Sequence, residues 1–460
     1  MTAAAAPDDA RLHVAIIGGG VAGVALALGL QTRGVSFALY ERAPAVTDVG
    51  AGIGLSPNAE RAMLLLDRDP TGGGPVAGGY RRVLTPNGLD YFQWVEGLRT
   101  NEVRYKLHVG KDGFQGCRRS DLVEAMVAGI APGGCGRVEL GKQLVDIRQR
   151  DDDQAGVGKK EKPIEMTFAD GTTARADVVV GCDGIRSRVR QVMFGPTSPV
   201  SHPCYSGKFC FRTLVPMDRA RAALGLERTH TRFMYNGPRA HAITYPVGQG
   251  ASLVLNVLVV LTDPAGTHGW DLAATGGRQT APGTREEARA AVEGFHPAFR
   301  AIVDLLPDNP EKWAIFDSLD DPAPTYAAGG ICLAGDAAHA TGPHLGAGAG
   351  FGVEDALALS TLLEAVDGAA GVEGRAQAVA RALEVYDELR RERTQWLVGA
   401  TREVVELFQW DRSGMTEDEH WERFTRVIPA RFHQIWDYDL EGMMADGLGK
   451  LGLPPVPQPN

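Results

Sequence analysis

The sequence predicts an α/β fold: a nucleotide-type βαβ domain drawn from both ends of the chain, an antiparallel β-sheet domain interleaved between them, and a C-terminal helical region. Three observations predict it. A buried-strand pattern runs into Gly-x-Gly-x-x-Gly near the N-terminus, period-two alternation fills 203–261, and a second apolar strand enters a glycine-rich loop near residue 340.

Size and composition bound the rest. A chain of 460 residues holds two or more domains, and 44% apolar with 23% charged residues is ordinary for a globular protein. With 47 basic against 57 acidic side chains the net charge is −10, which argues against nucleic acid as a partner. Six cysteines (117, 135, 182, 204, 210, 332) contain no CxxC pair, so a reduced compartment is expected, with neither disulfide scaffold nor zinc site. No basic n-region precedes the first apolar run. The longest apolar run, 252–261, is far short of the roughly 20 residues of a membrane span. The expectation is a cytoplasmic protein without a transmembrane segment.

The elements follow in order. Residues 1–10 are small and polar and are expected to be disordered. "LHVAIIGG" (12–19) is an apolar run bounded by glycine, as in a buried parallel strand. "VAGVALALGLQTRG" has helical spacing and a C-terminal stop at Gly34, and "VSFALYER" (35–42) is the next strand. "DGFQGCRRSDLVEAMVAGI" (112–130) enters a helix with Ser120 or Asp121 near its N-cap. "ELGKQLVDIRQR" and "PIEMTFADGTTARADVVVGCDG" are strands with an Asp-Gly turn at 170–171. "GKFCFRTLVP", "AHAITYPVG" and "ASLVLNVLVVL" are neighbouring antiparallel strands, and 262–284 is a linker. A buried strand returns in "GGICLAGDAAHA", 353–409 is mostly helical, and the tail "GLPPVPQPN" is irregular. The domain boundaries expected are 11–200 and 316–405 for the two parts of the nucleotide domain, 201–315 for the sheet domain, and 406–460 for the helical segment and tail.

"GGGVAG" sets Gly18, Gly20 and Gly23 in the dinucleotide spacing: a tight turn, a close approach to pyrophosphate, and close packing of helix on strand. Glu41 ends the next strand, where a carboxylate accepts from ribose hydroxyls. The alternative is a glycine-rich turn without ligand. "AGDAAHATGPHLGAGAGFGVED" (334–355) puts Asp336 after a strand and glycines before another helix. One long cofactor, FAD, explains two helix openings: Asp336 accepts from a ribityl hydroxyl, and the loop 343–350 turns N–H groups and a helix dipole to the flavin; taken alone, 334–355 also reads as a flexible loop after a core strand. His339 and His344 flank that loop and are read as loop-stabilising or pocket-lining. No metal-ligand set and no Gly-x-Ser-x-Gly elbow is present.

Together with "ADVVVGCDGIRSRVR" (176–190), these motifs resemble the single-component FAD-dependent aromatic hydroxylases, the para-hydroxybenzoate and salicylate hydroxylase group, over roughly 12–400. The resemblance implies a Rossmann-like FAD-binding domain, tightly bound FAD, NADPH or NADH as transient reductant, and molecular oxygen as co-substrate. It carries roles onto Asp183, where the FAD and NAD(P)H sites overlap, and Arg119, near the FAD phosphates. It also makes Glu41, Gly54, Asp336 and Ala349 FAD contacts. Ala347 departs from it, since many relatives carry glutamine in a GQG loop.

Within that group, "FQWVEG", "KFCFRTLVP", "AITYPV" and "GAGAGF" are similar to fungal polyketide-pathway monooxygenases that oxidatively dearomatise phenols. That similarity implies a small phenolic substrate anchored by Arg212 and Tyr245 and hydroxylated ortho to its phenolate by way of a flavin hydroperoxide. From alternation alone, Lys208, Cys210 and Arg212 share one face, as do His241, Ile243 and Tyr245. The residues themselves leave open an Arg212 paired with an acid and a Tyr245 that is merely packed. The alternatives are a salicylate-type decarboxylating hydroxylase, a flavin dehydrogenase or reductase, and a flavin-bound protein without turnover.

Overall fold

The computed structural model describes residues 11–45, 52–86, 90–110, 114–149, 164–272, 274–367, 374–410 and 414–453. The disordered N-terminus expected at 1–10 and most of the expected irregular tail lie outside them.

Val14, Ala15 and Ile16 are wholly buried because the strand His13–Ile17 has a parallel neighbour on each side, Val178–Gly181 and Ser36–Glu41. The six-stranded sheet runs Ala327–Ala328, Ile331–Leu333, Val178–Gly181, His13–Ile17, Ser36–Glu41, Gly136–Leu140. All its pairs are parallel except the short edge strand 327–328. Strands from far apart in the sequence, 13–17 and 331–333, therefore flank the one strand 178–181. The helix Val21–Thr32 ends at Arg33, with Gly34 just beyond at φ +70, and it packs on the helix Gly348–Asp367. A three-stranded sheet (Leu144–Arg148, Ile164–Phe168, Thr173–Ala176) lies beside this domain, where the rings of Phe168 and Tyr40 meet at 4.7 Å. Its expected turn is present, with Gly171 at φ +81.

The expected helix after 112 is Arg119–Val127, but its N-cap is Arg118 and makes no side-chain cap bond. Ser120 and Asp121 instead lie in the first turn and bond each other. The linker 262–284 contains the short strand Thr280–Pro282.

The eight-stranded sheet runs Thr280–Pro282, Glu311–Asp317, Cys204–Pro216, Val254–Thr262, Ala240–Val247, Phe233–Gly237, Tyr91–Glu96, Val103–His108. The three strands expected from 203–261 are antiparallel neighbours in it. Alternation alone does not reveal that 91–108 contributes two strands, joined by the parallel pair 91–96 with 233–237. The two faces differ. Phe209, Phe211, Val215, Phe233 and Tyr235 form one apolar cluster with Ala288, Phe299 and Ile302 of the helices Arg285–Ala291 and Pro297–Val303. The opposite face carries Lys208, Cys210 and Arg212, and an irregularity between Tyr205 and Lys208 sets the pairing register from Lys208 onward.

Part of that second face is covered by C-terminal helices. Phe408 of Arg375–Phe408 and Trp421, Phe424, Ile428, Phe432 and Trp436 of Glu417–Trp436 pack on Phe92, Trp94 and Met234. Leu345, Ala347 and Phe351 of the second glycine-rich segment join the same cluster. Among the described residues, no helix is long and apolar enough to cross a membrane.

Candidate active site

The first glycine loop is tight for steric reasons. A Cβ on Gly18, at φ +108, would stand 2.4 Å from the Cys182 carbonyl oxygen, and one on Gly23 only 2.0 Å from the Gly18 carbonyl oxygen. Gly20 caps the helix Val21–Thr32 without a side chain, so that helix opening is bare backbone. Glu41 folds toward it, one carboxylate oxygen accepting from Gly19 N–H at 2.7 Å and the other from Ala43 N–H at 2.8 Å. Each oxygen retains a lone pair for another donor. A guanidinium nitrogen of Arg119 lies 3.7 Å from where a Gly20 Cβ would stand, so the exposed Arg119 borders this loop.

Asp183 lies at the opening of the helix Arg188–Phe194, whose N-cap is Ser187, its Oδ2 accepting from Arg188 N–H at 2.6 Å and Val189 N–H at 3.1 Å. Its Oδ1 is buried with no hydrogen-bond partner, and burial raises its pKa. Asp336 follows the strand Ile331–Leu333 and begins the short helix Asp336–His339. It is open to water although protein surrounds it deeply, as on the floor of a cleft. Burial raises its pKa against the opposing charges of His339 and Arg119. A Cβ on Gly348 would lie 3.9 Å from Asp336 Oδ1, so the opening of the helix Gly348–Asp367 borders the same cleft. Ala349 is the second residue of that helix and half-buried.

The two helix openings touch. Cβ atoms built on Gly335 and Gly352 would stand 3.0 and 2.9 Å from the Ala22 methyl. Gly54, in the strand Gly52–Leu55, and Gly346 lie against the same Phe114 ring, at 3.0 and 2.7 Å for a hypothetical Cβ. Gly52–Leu55 pairs with Gln115–Arg118, and a Cβ on Gly116 would stand 3.0 Å from the Tyr245 ring. Gly52 N–H donates to Asn256 Oδ1 at 3.1 Å.

From there the sheet register takes over. Tyr245 faces Asn256, Ile243 and Arg212 both face Leu258, and directly opposed residues share a side. Arg212 and Tyr245 are thus on one face, and Arg212 partly offsets the burial and Cys117 charge that raise the Tyr245 pKa. Tyr245 remains a neutral donor at physiological pH. Arg212 stacks on Trp313 with its guanidinium carbon 3.5 Å from the ring centroid.

His344, in the glycine loop, meets His241 of the sheet edge-on at 5.3 Å. Burial and the charge of Lys208 lower the His344 pKa to about 3, and burial with His344 and Lys208 lowers that of His241. Both imidazoles are neutral at pH 7 and work as packing.

One constellation is not visible in the motifs. Asp355 is fully buried; its Oδ2 accepts from Gly335 N–H at 2.9 Å and pairs with His339 Nε2 at 2.6 Å, and its Oδ1 accepts from Arg390 Nε at 2.8 Å. Burial would raise its pKa, but His339 and Arg390 hold it well below the carboxylate range. Glu354 binds Arg390 at 2.7 Å, Arg393 at 2.9 Å and Asn58 at 2.7 Å. This network locks the loop before Asp336 to the second glycine-rich helix. The only hint in the sequence is an adjacent acid pair in the otherwise apolar stretch 348–359.

The model for the FAD binding domain family matches residues 11–401. The FAD-dependent monooxygenase orf3 of Aspergillus niger is 43% identical over 449 residues, 95% of this chain and 96% of that protein. The FAD-dependent monooxygenase pigN of Monascus ruber is 42% identical over 445 residues, 95% of this chain and 96% of that one. A salicylate hydroxylase solved as a substrate complex aligns with TM-score 0.77 and 27% identity over 98% of this chain and 100% of its own. The residues fit FAD: Gly18 and Gly23 have no room for a Cβ, Asp183 keeps an unsatisfied oxygen, and Asp336 opens into the cleft between the helix openings.

Proposed function

Because this chain belongs to the FAD binding domain family and is an FAD-dependent monooxygenase, we propose that its substrate is a phenol of the resorcylic, polyketide-derived kind. We further propose that it is hydroxylated ortho to its phenolate. Gly18, Gly20, Gly23, Glu41, Gly54, Arg119, Asp183, Asp336 and Ala349 would hold FAD. When bound, FAD supplies electrons from NADPH or NADH to dioxygen and delivers one oxygen atom to the ring.

The protein's own part is electrostatic and steric. Arg212 binds the substrate as its oxyanion, which enriches the ortho carbon in electrons. Tyr245 keeps its proton and donates it in a hydrogen bond to the same oxygen. The apolar cluster of Phe92, Trp94, Phe408 and Phe432 excludes water from that side of the sheet. An ortho carbon bearing hydrogen rearomatises, whereas one bearing an alkyl group cannot, and a hydroxylated dienone results.

The observation that carries this reading is the placement of Arg212 and Tyr245 on one sheet face, with Tyr245 packed on Gly116 in the strand paired to Gly54. The test is a phenol panel with NAD(P)H and labelled dioxygen, comparing the native enzyme with Arg212→Ala. Label enters the product of the native enzyme. The variant keeps its flavin and loses about 100-fold or more in kcat/KM, since an interaction with a charged, desolvated group is removed. Unchanged turnover in the variant would refute the role. The likeness to a salicylate hydroxylase favours one second reading, a decarboxylating hydroxylation. Release of carbon dioxide from a 2-hydroxybenzoate identifies it.

A further inference from the structure

The Arg212 side chain is long, and an arginine in a partly open site has many rotamers. A substrate oxyanion is best met by a guanidinium already turned edge-on to it. On the neighbouring strand Trp313 stands opposite Cys210, which places it diagonally across from Arg212, within reach of a long side chain. The two meet face to ion, with the guanidinium carbon 3.5 Å from the ring centroid. The ring is itself held: Trp313 packs against the buried cluster Cys210, Val260 and Ile315, together with Leu258, which faces Arg212. Its backbone position is fixed on both sides, by Cys210 and by Thr280 of the edge strand.

We infer that Trp313 is a positioning residue for the reaction: its indole face holds the Arg212 guanidinium plane so that the N–H edge meets the phenolate. This rests on the reading of Arg212 as the oxyanion site. A stacked guanidinium has one face covered by an apolar ring, which strips water from it and strengthens its field at the edge. The cluster around the ring then forms an apolar floor beside the charge, suited to a flat aromatic anion.

The experiment uses the holoenzyme and one turned-over resorcinol-type phenol, with Trp313→Leu, Trp313→Phe and Arg212→Ala. Flavin content, KM, kcat and the pH at which the bound phenol acquires its phenolate absorbance are measured. Trp313→Leu raises KM about tenfold, the scale of a desolvated cation–π contact, and moves the bound phenol's apparent pKa upward by about half a unit to one unit. Flavin content stays at the native level, and Trp313→Phe recovers most of both changes because it restores a ring face. If Trp313→Leu leaves the bound phenol's pKa at the native value, or Trp313→Phe recovers nothing, the inference is wrong. If Arg212→Ala itself fails to move that pKa, the oxyanion reading falls first and the positioning role falls with it.

Discussion

At the scale of single residues, burial decides which groups act as charges. Tyr245 is held protonated by burial, which the charge of Arg212 only partly offsets. His344 illustrates the same effect on stability. Its pKa in the folded protein is about 3, below the value near 6.5 expected when unfolded. The unfolded chain therefore binds the extra proton first, and stability falls as pH drops from about 6.5 toward 3, by about 1.4 kcal/mol per unit for this group. Above pH 7 it contributes no slope. Chemical denaturation of native protein and His344→Phe between pH 4 and 8 checks this: the native curve declines more steeply on the acid side, and a variant with an identical slope would count against it.

At the scale of elements, the βαβ unit was legible because its evidence is local: apolar runs of strand length, glycines at fixed offsets, and Glu41 at the end of the second strand. Gly34 and the Asp-Gly turn were legible for the same reason. The strand pair 91–96 with 233–237 was not, since its partners lie far apart in sequence and neither announces the other. Nor was the lock on the second glycine-rich segment. Asp355 and Arg390 lie 35 residues apart on consecutive helices, and only the packing of Gly348–Asp367 on Arg375–Phe408 brings them together. Arg390→Met tests that lock. It leaves two buried carboxylates short of a partner, which costs about 3–5 kcal/mol, and it loosens the Gly335 N–H anchor, so flavin is lost on dilution. Denaturant midpoints together with the flavin-to-protein absorbance ratio provide the check.

At the scale of the whole molecule, the large sheet keeps two jobs on opposite sides. One face is closed by the helices Arg285–Ala291 and Pro297–Val303, and the other carries Arg212, Tyr245 and Trp313 and is covered in part by C-terminal helices. Phe432 joins the helix Glu417–Trp436 to the sheet and to the ring on which Gly54 and Gly346 lie, edge-on to Trp94 at 5.9 Å and Phe114 at 6.3 Å. Phe432→Ala is expected to cost about 3–5 kcal/mol through the cavity it leaves, and also to raise the share of NAD(P)H oxidised without product, because Phe114 supports Gly54 and Gly346. Denaturation and a product-to-NAD(P)H ratio measure the two effects; a coupling ratio equal to the native one would separate stability from water exclusion. Sequence alternation placed Arg212 and Tyr245 on their strands. It could not say that the intervening strand Val254–Thr262 puts them on one side.

The parallel sheet draws its central strands from 13–17 and 178–181, and its next one from 331–333. During synthesis the first glycine loop leaves the ribosome long before Asp336 and the helix that starts at Gly348. With the proposed FAD site divided in this way, the nascent polypeptide would wait through most of its own translation with half a cradle, and flavin capture is expected among the last events of biogenesis.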